Sequence, residues 1–123
     1  MKIHIDMDPV PKGRPRMSRN GHTYTPQKTR DAEAQLKEMI EFAMTDAACF
    51  DGPVMVTIAF TFKKPKSNKT NAHTQRPDLD NCFKLVTDAM NGIVYNDDSQ
   101  IVWFMGIKQW GESGGIDIEV KSY

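Results

Sequence analysis

Between Val54 and Phe62 every second residue is large and apolar: Val54, Val56, Ile58, Phe60 and Phe62. Side chains of a strand alternate between two faces, so this run predicts a β-strand with one face against a core. β-branched residues dominate it, which favours the pleated conformation. A strand with one buried face needs partners in the same sheet and a layer to cover that face. The flanking sequence supplies both. Ile3, Ile5 and Met7 alternate as a short first strand. Residues 101–108 alternate as a third, with Ile101, Trp103, Met105 and Ile107 against Val102 and Phe104. Ile116, Ile118 and Val120 alternate with Asp117, Glu119 and Lys121 as a fourth, half-exposed strand, after a turn at Gly111 to Gly115.

Two helices lie between these strands. The first follows Thr25, expected as its N-cap with Pro26 at the first position. Ala32, Leu36, Met39, Ile40 and Ala43 form its apolar stripe, while Glu33, Lys37, Glu38 and Glu41 face water. It breaks at Phe50-Asp51-Gly52-Pro53. The second runs from about Asp78 to Asn91, with Leu79, Cys82, Phe83, Val86 and Met90 inward and Asn91-Gly92 as a left-handed stop. The order is β-α-β-α-β-β. It predicts one α/β (α+β) domain over residues 1–123: a single mixed sheet of about four strands with two main helices. At 123 residues the chain is long enough to bury a core without staples.

Two connections stand apart. Residues 9–25 contain PVPKGRPR, a long unstructured link of a kind that domains rarely keep without a use. KKPKSNKTNAHTQRP, after the central strand, has no period and reads as a mobile loop. Both are basic. Residues 1–30 carry seven Lys and Arg against two Asp, a net +5, and residues 63–76 carry five against none. Over the whole chain 16 basic residues balance 16 acidic ones, so the remainder holds the compensating negative charge. Basic blocks bind polyanions whatever the total charge. Lys12, Arg14, Arg16, Lys64 and Lys66 are the expected phosphate contacts. No run of about 20 apolar residues and no leader is visible, so a membrane span and a secretion signal are not expected. Cys49 and Cys82 are the only cysteines; Cys82, within an apolar helical pattern, reads as a buried free thiol suited to a reducing cytoplasm.

The chemistry sits in RPDLDNCFK (Arg76 to Lys84) and YNDDSQ (Tyr95 to Gln100). Asp78 and Asp80 stand at the start of the second helix, where a side chain can cap free N–H groups and the helix dipole favours negative charge. Asp80, Lys84 and Asp88 lie four apart in one row, which suits i,i+4 ion pairs. Asp97-Asp98 suits a turn. Those structural roles explain each acid by itself. The alternative takes them together. If the loop after the helix folds back, Asp97 or Asp98 joins Asp78 and Asp80, and three or four carboxylates repel unless a cation lies between them. Hard oxygen donors suit Mg²⁺, which acidifies a bound water and offsets charge on a phosphodiester. Lys84 would face the same cavity and neutralise a scissile phosphate or leaving oxygen. An acidic centre with a basic rim is what a metal-dependent nuclease requires. No Gly-rich phosphate loop and no G-x-S-x-G elbow competes.

RPDLDNCFKLVTDAMNGIVYNDDSQI resembles the core signature of the RusA-type Holliday-junction resolvases. The likeness extends to the first strand, the Pro- and Arg-rich link with Arg14 and Arg16, and the YTP entry to the first helix. It implies a homodimer that cuts opposed strands of branched, four-way DNA junctions with Mg²⁺, or Mn²⁺ as a substitute. Carried over by position, Asp78, Asp80 and Asp98 are its metal ligands, ahead of Asp97, and Lys84 its catalytic lysine. Arg76 and Asn81 match flanking positions expected to contact DNA. A module that grips DNA through its basic loops without cutting it is the competing expectation.

Overall fold

The computed structural model describes residues 1–45 and 47–123. Its main sheet has four strands: β1 (Lys2–Ile5), β4 (Val54–Lys63), β5 (Ile101–Gly111) and β6 (Gly115–Ser122). Their spatial order is β1-β6-β4-β5. β4 and β5 run parallel and the other neighbours antiparallel, so the sheet is mixed, as expected from the element order. The parallel pair requires a crossover, and helix α2 (Leu79–Ala89) supplies it. Val54, Val56, Ile58 and Phe60 on β4, with Ile116, Ile118 and Val120 on β6, are at most 1% exposed. Leu36 and Ile40 of helix α1 (Gln27–Ala43) and Cys82 and Val86 of α2 pack into the same cluster. Both helices thus cover one face of the sheet. Each fully buried large side chain contributes about 1.5–3 kcal/mol of transfer free energy.

Four local expectations change. The link over residues 9–25 is not wholly irregular: β2 (Arg16–Met17) and β3 (Thr23–Tyr24) form a small second sheet. Its turn places Gly21 at φ +78°, a conformation that glycine adopts without a Cβ penalty. Pro26, not Thr25, stands at the N-cap of α1, and no side chain caps that helix. Ala43 is exposed and Met44 takes its inward place. The loop expected to be mobile is tied to the sheet. Trp110 donates its backbone N–H to Asn71 O at 3.0 Å. The His73 ring stacks on Trp110 with centroids 3.7 Å apart. Lys108 donates its ammonium to the carbonyls of Gln75 and Pro77.

β5 is an edge strand, paired along its length with β4 and bridged on its outer side by Ala72 at Gln109. Its apolar residues are not covered within the protomer: Val102, Trp103, Phe104, Met105 and Ile107 remain 39–64% exposed. Gly106 lies beneath α2, where a Cβ would come 3.4 Å from Leu79. This approach, with Phe83 against Phe104, sets the height of α2 over the sheet. No helix is long and apolar enough to cross a membrane among the described residues. Both thiols are free, and burial raises that of Cys82 to about 11.

Candidate active site

The start of α2, the link before α1 and the turn before β5 meet on one side of the molecule. Asp78 occupies the N-cap of α2 with extended backbone, yet its carboxylate makes no capping bond. The structural role that would account for it is therefore not taken up. Asp80, within the first turn, is also exposed, and neither acid has an ion-pair partner among the described residues. The segment leading into them is held from β5, because the two carbonyls that Lys108 grips flank Arg76.

The paired acids of the YNDDSQ turn divide their work. Asp97 caps a single 3₁₀ turn (Asp98–Gln100), accepting from Ser99 N at 3.0 Å, while Gln100 Oε1 accepts from Asn96 N and Asp97 N. Its bond to Ser99 holds the Asp97 carboxyl below the ordinary carboxylate value. Gln100 Nε2 then donates to Phe50 O and Gly52 O, both at 2.9 Å, anchoring the turn. Asp98 is left to point at α2, where its Oδ2 accepts from Lys84 Nζ at 3.1 Å. A capping box, a D-x-x-Q pattern present in the sequence, thus occupies Asp97 with the turn itself. Tyr95, fully buried, donates its hydroxyl to Thr87 O at 2.7 Å and fixes the same turn against the helix.

Lys84 is bound on two sides. Besides Asp98 it meets Asp88 Oδ1 at 2.8 Å, one turn further along α2. The other oxygen of Asp88 meets Lys12 Nζ at 3.2 Å, and Lys12 continues to Glu33 Oε1 of α1 at 2.7 Å. Five groups of alternating sign, Glu33, Lys12, Asp88, Lys84 and Asp98, run across the site. Hydrogen bonding to Asp88 raises the Lys84 pKa, outweighing partial burial. Burial would raise that of Asp88, but the two ammonium partners hold it below 3.8. Of the i,i+4 row, Lys84–Asp88 pairs and Asp80–Lys84 does not. The expected convergence of carboxylates is likewise absent. Among the described residues no three His, Cys, Asp or Glu side chains gather closely enough to hold one ion. Asp98 is neutralised by Lys84 instead of standing with Asp78 and Asp80.

A cleft of about 570 Å³ opens beside Asp78. Lys12, Arg14, Arg76 and Asn81, all expected DNA contacts, line it, and so does Lys28, which the sequence reading left in a general basic block. Lys12 N donates to Asn81 O at 2.8 Å, pinning the link to α2. Gly13 allows this packing, since a Cβ there would meet Thr29 Oγ1 at 2.5 Å. Arg16 lies exposed on the small second sheet. Lys64 and Lys66 line a different cleft of about 520 Å³ with Trp110 and Glu112. The first basic block and Arg76, at the end of the second, therefore reach Asp78, while Lys64 and Lys66 of the second stand apart from it. Asp88, Lys108 and Gln100 build the site without having been read as part of it. Gln100 carried a local signal in its capping box and Asp88 in its i,i+4 spacing from Lys84, whereas Lys108 carried none.

A two-layer α+β domain with a basic cleft against unpartnered carboxylates belongs, by its chemistry, among proteins that handle phosphate-rich polyanions. The match to known proteins is more specific. Residues 6–121 fit the family model of the endodeoxyribonuclease RusA, and the chain belongs to that family. It is 30% identical to the "Uncharacterized protein YqaN" of Bacillus subtilis (strain 168), over 98% of this chain and 95% of the other. It is 40% identical over 76 residues to the "Crossover junction endodeoxyribonuclease rusA" of Lactococcus phage r1t, covering 58% of each chain.

Proposed function

We propose that this protein is a Mg²⁺-dependent endodeoxyribonuclease that cuts opposed strands of four-way DNA junctions, acting in the cytoplasm. The observation that carries the reading is the cleft in which Arg14, Lys28 and Arg76 surround Asp78, in a chain of the RusA endodeoxyribonuclease family. The donor set suits a hydrated hard cation rather than an all-protein cage. Mg²⁺ keeps several waters and takes one or two carboxylates plus substrate phosphate, and Asp78 and Asp80 offer two carboxylates unused by the fold. Asp78 and Asp80 are the residues that would hold it, and Asp98, paired with Lys84 in this structure, would join them only by turning toward the ion. When bound, the ion supplies positive charge to the phosphate and acidifies a water.

The side chains do the rest. Arg14, Lys28 and Arg76 contact flanking phosphates, and Asn81 fixes the strand beside them. Lys12 supports the rim from within, its ammonium being shared by Glu33 and Asp88. Lys84 offsets the charge that develops on the scissile phosphate and leaving oxygen. Its raised pKa suits a fixed cation better than a proton donor. Arg16, Lys64 and Lys66, away from the cleft, contact outlying arms of a branched substrate.

The test uses a synthetic four-way junction and a linear duplex of matched sequence. Cleavage of the junction with Mg²⁺ and its loss on adding chelator are expected. Binding without cleavage at any Mg²⁺ concentration would instead identify a non-catalytic DNA module.

A two-fold dimer accompanies this reading, because a four-way junction has pseudo-two-fold symmetry and needs two opposed cuts. The exposed apolar row Val102 to Ile107 on the open edge of β5 is its natural surface, since antiparallel pairing of an edge with itself is self-complementary. Sedimentation at twice the chain mass, abolished by Phe104→Lys, is expected. A monomer at micromolar concentration would contradict it.

A further inference from the structure

We propose that Asp88 is a positioning residue for Lys84, held in that role by Lys12 and Glu33; the inference rests on the reading of Lys84 given above. The arrangement is asymmetric. The Asp88 side chain is 16% exposed, whereas Lys84, one turn earlier on the same helix, is 55% exposed. Asp88 is thus a half-sunk anchor and Lys84 a long lever reaching outward. Both oxygens of the anchor are occupied, one by Lys84 at 2.8 Å and one by Lys12 at 3.2 Å. Turning the carboxylate breaks one of these contacts. Lys12 is fixed in turn by Glu33 from a second helix and by its own N–H on Asn81 O.

The consequence concerns the three N–H donors of Lys84. One goes to Asp88 and one to Asp98, which leaves a third without an acceptor among the described residues. With two donors fixed, the direction of the third is set before any phosphate arrives. Without Asp88, the ammonium keeps only Asp98, on a stem with four rotatable bonds, and is drawn onto that acid. Exposed ion pairs ordinarily contribute little. Here the pairs link α1, the link before it, α2 and the turn before β5, and they converge on one functional cation.

The experiment is a double-mutant cycle in the full chain, read as single-turnover cleavage of the four-way junction with Mg²⁺. Asp88→Asn is expected to slow cleavage about 10- to 100-fold, as misplacement of a reacting group does. Junction affinity, measured without Mg²⁺, changes less than about two-fold. In a Lys84→Met background the same substitution has almost no further effect on rate, because groups that act as a unit are not additive. An equal loss in both backgrounds, or no loss in either, overturns the proposal. Asp88→Glu covers the case in which Asp88→Asn does not fold: it keeps the charge and moves it by one methylene, and an unchanged cleavage rate overturns the proposal too. A readout independent of cleavage separates this inference from the nuclease reading. The order parameter of the Lys84 Cε methylene, from ¹³C relaxation, falls in Asp88→Asn if Asp88 holds the side chain. If it does not fall, Asp88 is a structural ion pair only.

Discussion

Asp80→Asn is expected to lower single-turnover junction cleavage by at least about 100-fold, equivalent to ~2.7 kcal/mol of transition-state stabilisation. Thermal stability should stay near that of the parent chain. The two halves of this expectation come from one observation. Asp80 is exposed, with no ion-pair partner among the described residues, so its charge can be removed without orphaning a group inside the fold. A carboxylate that served the helix dipole alone would give the opposite pattern: stability falling by ~0.3–1 kcal/mol and cleavage persisting. Asp97→Asn is the companion measurement. It removes the charge, keeps an oxygen able to accept from Ser99 N and leaves Asp98 in place, so little change in either cleavage or melting is expected. Cleavage falling as far in Asp97→Asn as in Asp80→Asn would show that the roles of the two turn acids have been exchanged.

The largest loss of stability is expected at Tyr95. Tyr95→Ala removes a fully buried ring, which costs about 3–5 kcal/mol. Against a total stability of about 5–15 kcal/mol, that is a large fraction. Tyr95→Phe keeps the ring and withdraws only the hydroxyl from Thr87 O, for about 1–3 kcal/mol. Urea denaturation of the three proteins gives the order directly. The ring also joins the turn bearing Asp98 to the helix bearing Lys84. Tyr95→Phe should therefore lower the cleavage rate under conditions where it is fully folded. Stability loss with no change in rate would confine Tyr95 to the core.

The sheet and its helices were legible because burial imposes a period. Val54 to Phe60 bury every second residue as the alternation requires, and Leu36, Ile40, Cys82 and Val86 face inward at helical spacing. The second sheet was not legible, because strands of two residues are too short to carry a period. Nor was the tether on the second basic loop. Lys108 looks like any solvated lysine on a strand until its acceptors, about thirty residues earlier, are seen. Within the site, the positions of Asp78, Asp80, Lys84 and Asp98 followed from their local strings, but their relations did not. Lys12 read as a phosphate contact because it stands among basic residues. Its partners Glu33 and Asp88 lie on two separate helices, and only the tertiary fold brings them to it. β5 was read as a strand from its alternation, which cannot distinguish a core face from a face left open at an edge.

The strand order has a consequence for how the protein matures. β6 lies between β1 and β4, so the first strand reaches the sheet only through the last. During translation β1 and β4 emerge with the gap between them unfilled, and no shorter nascent chain can close it. Such distant pairing slows folding and places it late. A ribosome stalled before residue 115 therefore carries the acids and the basic arm as an unassembled chain. The cleft and its acids, on this account, take shape in one step, when β6 closes the sheet.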